Sequence, residues 1–357
     1  MSTISVALAT LNGEAYLLQQ LDSLARQTRL PDELVVSDDA SADGTKNMIL
    51  DFARRAPFPV QFHQNEKRLG YRDNFMKAVD LSRSDLVAFC DQDDVWEPHK
   101  LAVVERVFDE PDVYLAFHNA TVISRDGKPR RRLYRATTGV TLSAPLSRTP
   151  WIVVPGFTQI FRKYLTRFSF LHSASIDVDW PDETLPHDRW FYFLSSVLGR
   201  IAFVGEPLVQ YRQHEKNAFG VYTDTRSHMD RVLRGENFVR CAMTWARNRS
   251  GLLQRMRGRV SAGEETRLAD AIAYYDGLYQ RLSGRLSVYA SDSSFARLKA
   301  LHAFARNGGY AAIHGSARFG WKELLMDAYV GVPFGPRARR FFSLMSRSTD
   351  PSRDAFS

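Results

Sequence analysis

Three carboxylates fall within four positions at Asp91, Asp93 and Asp94, directly after the apolar run Leu86–Cys90. Brought close together, such groups repel unless a cation or hydrogen-bond donors come between them. A hard divalent ion shared with a phosphate-bearing ligand meets that need. A plain structural role is also open, because Asp suits the start of a helix and Pro98 and Lys100 look like helix openers. Taken alone, the cluster leaves both readings standing. Polar residues follow two other apolar runs in the same way: Thr10 and Asn12 after Ile4–Ala9, and Asp38-Asp39 after Glu33–Val36.

These runs are short, continuous and bounded, the pattern of strands buried on both faces. Val60–His63 is another of them. Helical spacing separates the runs: Leu17, Leu21 and Leu24, then Met48, Ile49 and Phe52, then Asn74 to Leu81. Strands alternating with helices predict an α/β fold with a mainly parallel sheet. Right-handed crossovers then bring the carboxyl ends of the strands to one rim, where open α/β sheets bind ligands. Further on, the pattern predicts a helix through Leu101, Val104 and Phe108, a strand over Val113–Ile123 and a buried, turn-containing segment over Pro150–Phe161. A helix over His187–Leu198 follows, then two short strands, Ile201–Val204 and Leu208–Tyr211. The basic run Lys128 to Arg135 reads as a loop over the site or a solvated segment.

From about residue 225 helical patterns dominate and arginine is frequent. The expected organisation is a first domain over 1–224, a helical C-terminal region over 225–345 and a Ser/Arg/Asp-rich, disordered tail over 346–357. The 357 residues carry a net charge of +8, which favours anionic partners. Of the two cysteines, Cys90 lies in a buried strand, so a reducing, cytoplasmic setting is expected. The first ten residues read as a strand rather than a signal peptide, and nothing approaches the roughly 20 apolar residues of a membrane span.

The common nucleotide fingerprints are missing. There is no Gly-x-Gly-x-x-Gly after the first strand, no phosphate-binding Gly-x-x-x-x-Gly-Lys-Ser/Thr, and no second histidine after His214-Glu215 to complete a zinc-protease motif. What is present is a set of short motifs in order. Val6–Asn12, Asp38-Asp39-Ala40-Ser41-x-Asp43-Gly44-Thr45, Cys90-Asp91-Gln92-Asp93-Asp94-Val95-Trp96, Pro186-His187-Asp188-Arg189-Trp190 and Tyr211-Arg212-Gln213-His214-Glu215-Lys216-Asn217 together resemble the inverting glycosyltransferases of family 2. The resemblance spans about residues 1–220 and is nearest the bacterial rhamnosyltransferase-like branch, which builds surface polysaccharide.

It implies a GT-A fold, a Rossmann-like mixed, mainly parallel sheet flanked by helices, here with a helical C-terminal region. It also implies a nucleoside-diphosphate sugar donor, with dTDP-rhamnose a candidate, and a divalent metal, Mn²⁺ or Mg²⁺, that stabilises the departing diphosphate as a Lewis acid. By this resemblance Asp93 coordinates the metal, Asp91 lies near ribose or metal, Gln92 binds the nucleotide sugar, Asp94 supports the cluster, and His214 adds a metal or diphosphate contact. Thr10, Asn12 and Glu14 lie beneath the nucleotide. Asp39 accepts the N3 proton of a pyrimidine, and Arg72 meets base or phosphate unless it is only an exposed cation at a helix start. Asp188 is the base that takes the acceptor hydroxyl proton, a role compatible with capping its helix. The family often has Glu-Asp where this chain has His187-Asp188. The Gln-x-x-Arg-Trp motif of processive members is absent, which favours transfer of a single sugar.

Two other readings remain in view. A nucleotidyltransferase acting on sugar phosphates also uses paired carboxylates and metal, but its usual Gly-rich basic loop is not in Ala9–Glu14. A nucleic-acid or membrane-binding protein would use the C-terminal arginines, but these lie at helical spacing without interleaved aromatics, so no nucleic-acid partner is expected. A glycan or lipid-linked acceptor and peripheral contact of the C-terminal helices with the inner membrane face complete the expectation.

Overall fold

The computed structural model describes residues 2–135, 138–150, 152–177, 180, 182–215, 217, 235–291, 293–311, 320, 324–325 and 327–333. It divides into two units. One comprises Met1–Ala174, Thr184–Val221 and Val260–Arg267; the other comprises Ser175–Glu183, Tyr222–Arg259 and Leu268–Ser357.

The first unit is built on a ten-stranded sheet: β1 (Ile4–Thr10), β2 (Glu33–Asp38), β3 (Val60–Gln64), β4 (Leu86–Cys90), β5 (Val95–Trp96), β6 (Val113–Ile123), β7 (Pro129–Arg132), β8 (Val140–Ser143), β9 (Gln159–Arg162) and β10 (Arg200–Arg212). Its order is β3-β2-β1-β4-β9-β6-β10-β5, with β7 on β6 and β8 on β10. The first four of these neighbours run parallel, and β10 is parallel to β6. Strand β9 is antiparallel to both its neighbours. This is the mixed, mainly parallel sheet expected from the alternating pattern.

Strand β4 is apolar throughout and β1 nearly so because both faces are covered. Ile4, Val6 and Leu8 join one core with Leu86, Ala88 and Cys90, packed by Leu17, Leu21 and Leu24 of α1 (Leu17–Ala25) and Ile49 and Phe52 of α2 (Thr45–Ala53). On the opposite side Phe89 points among Phe75 of α3 (Tyr71–Leu81), Phe161 of β9 and Phe191 of α5 (His187–Leu198), with ring centroids 5.5, 5.1 and 5.9 Å away. Burying a phenylalanine of this kind stabilises by about 1.5–3 kcal/mol, so each helix is held by its apolar stripe.

Some local expectations change. Helix α3 opens at Tyr71, three residues early, because Gly70 takes φ +83° and turns the chain into the helix. The segment 150–161 is more than a turn: a 3₁₀ turn at Gly156–Thr158 feeds β9, which inserts between β4 and β6. Of the two readings of the basic run, the solvated segment agrees with its exposure. Its Pro129–Arg132 part is an exposed strand hairpinned onto β6. The two short strands after α5 are one, β10, whose register shifts near Pro207 absorb the interruption. The helix after Pro98 is α4 (Lys100–Glu105), finished by a 3₁₀ turn.

The second unit is helical, with α6 (Gly235–Gln254), most of α7 (Ala262–Ala290) and α8 (Ser294–Arg306). The boundary expected near residue 225 and the tail 346–357 lie outside the described residues. Among the described residues no helix is long and apolar enough to cross a membrane.

Candidate active site

The register of the parallel strands sets the site. Thr10 ends β1 beside Asp38, the last residue of β2, and the Thr10 hydroxyl donates to Asp38 Oδ1 at 2.8 Å. The loops beyond these strands interlock. Asn12, at φ +48°, donates its N–H to Ser41 Oγ at 2.8 Å and accepts from Ala42 N at 2.9 Å. Glu14 accepts from Gly44 N at 3.1 Å, and a Cβ on Gly44 would stand 2.8 Å from the Glu14 carboxylate. Gln92, from the loop after β4, pairs with both backbone groups of Leu11, accepting from its N–H at 2.9 Å and donating to its carbonyl at 3.0 Å. Thus Thr10, Asn12, Glu14 and Gln92 brace the loops against one another.

Asp39 is buried and accepts from Asn65 Nδ2, Leu69 N and Gly70 N at 3.1, 2.6 and 3.0 Å. An ionised carboxylate has about four acceptor sites, so these bonds leave room for one more donor. They also draw the 65–70 loop, and with it the first turn of α3, towards β2. Arg72 in that turn lies with its guanidinium 5.0 Å from the Tyr71 ring centroid.

The carboxylate cluster sits at the end of β4. Asp93 Oδ2 meets His214 Nε2 at 2.8 Å and accepts from Asn217 Nδ2 at 3.2 Å. Asp94 is fully buried; its Oδ1 accepts from Arg212 N at 3.0 Å while its Oδ2 has no hydrogen-bond partner. Arg212 also donates from Nε to the Asp93 carbonyl at 3.0 Å and from its terminal nitrogen to Gln19 Oε1 at 2.6 Å. Tyr16 packs between the two ends of this motif, with Arg212 5.0 Å from its ring centroid and the His214 ring stacked on it at 4.7 Å. The sequence motif Tyr-Arg-Gln-His therefore clamps the acidic loop from behind as well as facing it.

Electrostatics follow from this crowding. Burial pushes the Asp91 carboxyl up to about 8, reinforced by the charges of Asp93 and Asp188 and opposed by Lys100. Burial raises Asp93 too, against the pull of His214, and raises Asp94 well above the carboxylate range, with Asp93 and Asp91 adding to it. Asp188 belongs to this field although nearly a hundred residues separate it from the cluster. It lies in the first turn of α5, where the helix end favours a negative charge, and its Oδ1 accepts from Arg189 N at 2.7 Å. Its neighbour His187 is a core residue. The ring stacks on Phe75 at 3.9 Å and contacts Phe89 edge-on at 4.7 Å, and burial lowers its pKa to about 3, so it stays neutral.

The donor set fits a divalent ion in part. Among the described residues no three His, Cys, Asp or Glu side chains stand arranged to hold one alone. Asp93 and His214 converge, Asp91 is near enough to repel Asp93, and a buried carboxylate oxygen of Asp94 goes unpaired. That is an environment deficient in positive charge, suited to an ion that completes its shell with phosphate oxygens and water.

Sequence reasoning missed several members. Lys100 was expected only to open a helix, yet it is fully buried with Nζ 3.0 Å from the Phe157 carbonyl. Burial brings it down to about 7, against the charges of Cys90, Asp94 and Asp91. Tyr16, Gln19 and Gly156 carried no local signal. Arg212 and Asn217 stood within the recognised motif without a role.

Residues 5–174 match the family model for glycosyl transferase family 2. That segment is a glycosyl transferase family 2 domain. An uncharacterised protein of Mycobacterium tuberculosis is 29% identical over 232 residues, 63% of this chain and 62% of its own length. The dTDP-rhamnosyl transferase RfbG of Shigella flexneri is 26% identical over 234 residues, 63% of this chain and 78% of its own length. The chain thus spans less than two thirds of the length of the mycobacterial relative. A crystal structure of residues 1–349 of S. aureus TarS shares the fold, with a TM-score of 0.51 at 16% identity over 98% of this chain and 93% of that one. The family 2 match ends at residue 174, so Asp188 and His214 reach the site from beyond the matched segment.

Proposed function

We propose that this protein moves a single sugar from a nucleoside-diphosphate sugar to a hydroxyl of a glycan or lipid-linked acceptor, with inversion at the anomeric carbon. The observation that carries the reading is the electrostatic proximity of Asp188 to Asp91. It brings a carboxylate from a separate element to the edge of a cluster suited to diphosphate and metal. In this reading Asp39 and the loops held by Thr10, Asn12, Glu14 and Gln92 receive the nucleotide, with Arg72 beside them. Asp93 and His214, with Asp91, would hold Mn²⁺ or Mg²⁺, which when bound would supply Lewis-acid stabilisation of a departing diphosphate. Asp188 accepts the proton of the attacking hydroxyl, a contribution of about 10²–10⁴-fold in rate for a positioned base. The rhamnosyl transferase relative makes dTDP-rhamnose a candidate donor and surface polysaccharide a candidate product class.

The acceptor reading includes the second unit. It holds 21 of the 48 Lys and Arg but only 14 of the 40 Asp and Glu, and so most of the net positive charge. Phe295 is 67% exposed, Leu298 52% and Tyr329 73%, and Lys299 Nζ lies 4.6 Å from the Phe295 ring centroid. Exposed apolar side chains beside cations suit an anionic lipid surface at the inner face of the membrane. A screen of nucleotide sugars with Mn²⁺ and Mg²⁺, read by thermal shift and by product, tests the main reading. Stabilisation by one nucleotide sugar and release of a nucleoside diphosphate are expected; release of pyrophosphate would instead show a nucleotidyltransferase.

A further inference from the structure

Lys100 ends in a basic nitrogen with no access to water. A buried polar group is costly unless it is hydrogen-bonded, so a lysine kept there needs compensating partners. Its surroundings are few and specific. Nζ donates to the Phe157 carbonyl at 3.0 Å and lies 3.4 Å from the Trp96 ring centroid. Trp96 is in β5, directly after the acidic loop, whereas Phe157 is the middle residue of the turn Gly156–Thr158.

That turn touches the far wall of the site. A Cβ on Gly156 would stand 2.8 Å from His187 Nε2 and 3.4 Å from Asp188 Cβ, so the turn and the start of α5 are in near contact. The Phe157 ring stacks on Tyr211 at 4.5 Å with a 12° interplanar angle, one residue before Arg212, the clamp of the acidic loop. The turn is thus shared by the two halves of the site: one side is tied to the Asp91–Asp94 loop, the other supports Asp188.

We infer that Lys100 is a positioning residue, which holds the Gly156–Thr158 turn to the acidic loop and so fixes the distance between Asp188 and the carboxylate cluster. This rests on the glycosyl-transfer reading for its consequence in turnover, but not for its structural content. A side chain that only filled space would be replaced as well by an apolar residue of similar length. One that acts through its hydrogen bond requires a donor.

The test compares Lys100→Met, which keeps length and loses the donor, with Lys100→Gln, which keeps a donor, in the full chain. Hydrogen–deuterium exchange is followed at residues 156–158 and 187–192. In Lys100→Met, exchange there should rise about tenfold, as expected for loss of a buried hydrogen bond to a backbone carbonyl; Lys100→Gln should remain near the native rate. On the nucleotide sugar that the native protein turns over, Lys100→Met should lower kcat about tenfold with KM within about threefold, and Lys100→Gln should recover most of it. If Lys100→Met fails to fold while Lys100→Gln folds with native protection, the tie is equally supported. Equal behaviour of the two variants in exchange overturns it. Should the native protein turn over no nucleotide sugar, the transfer reading fails while the exchange comparison still decides the role of Lys100.

Discussion

Asp94 in the first unit and Asp327 in the second are both completely buried, and the two are treated in opposite ways. Asp327, in the second unit, receives both guanidinium nitrogens of Arg285 at 2.7 and 2.8 Å and the hydroxyls of Tyr289 and Tyr310. Asp94, in the first unit, has one backbone donor and an oxygen with none, beside two further carboxylates. A buried charge with all its partners is a structural member. One that lacks them, in a group of like charges, marks a place where something positive belongs when the protein works. The units differ in net charge in the same sense: 27 cationic against 26 anionic side chains in the first, 21 against 14 in the second.

The largest effect expected belongs to the first unit's chemistry. Asp188→Asn should reduce transfer by about 10²–10⁴-fold while binding of the nucleoside diphosphate, measured by calorimetry, stays within about threefold. Retained turnover would remove Asp188 from the base role and assign the proton to another group.

The buried aspartates themselves can be set against each other. Asp327→Asn breaks an ion pair and leaves Arg285 without its anion, which should cost about 3–5 kcal/mol and lower the melting temperature of the full chain. Asp94→Asn removes one of three repelling carboxylates and should leave the melting temperature of the metal-free protein unchanged or higher. Equal losses in calorimetric scans would break the contrast between structural and functional burial.

The same contrast has a pH dependence. Asp91 ionises near about 3.9 when unfolded and at about 8 in the fold, because burial and its neighbours disfavour the charge. The folded protein therefore binds this proton more tightly than the unfolded chain does. The stability from this group is full below pH about 4 and is lost as pH rises through 8. In metal-free protein the melting temperature should fall from pH 5 to pH 9 more steeply than in Asp91→Asn. Parallel curves would show that the cluster carries no such strain.

The smallest effect expected is on the second unit's surface. Replacing Phe295 and Leu298 together by serine should weaken co-sedimentation with anionic vesicles several-fold at low salt, leaving nucleotide binding untouched. Undiminished vesicle binding would separate the exposed apolar residues from any membrane role.

Much of the site was legible before any fold was known, because its polar residues are neighbours of strands. A parallel strand buried on both faces has a distinctive composition, and the chain order of such strands puts their ends on one rim. Thr10, Asp39 and Asp91–Asp94 could be found in that way. Asp188 and His214 were found differently, through short motifs in register. Other residues left no trace of their duties. Gln92 spends its amide on the backbone of Leu11, eighty-one positions earlier, and His187 turns inward onto Phe75 and Phe89. Strand β9 was hidden because four residues without alternation cannot be told from a buried turn. The run after α5 was split in two at Gly205 and Pro207, where the structure bends one strand.

By itself the sequence determined the alternation of strands and helices, the acidic ends of the strands and the family resemblance of its first half. These depend on periodicity and on residues close together in the chain, which local chemistry controls. Only the tertiary structure decided which polar groups are spent on one another and which are left in want of a partner. It alone brought Asp188 into the field of Asp91, set Arg212 behind Asp93 and Asp94, and placed Lys100 where no water reaches it. Contacts between distant segments depend on how whole layers pack, and no local pattern encodes the partner a buried charge will meet.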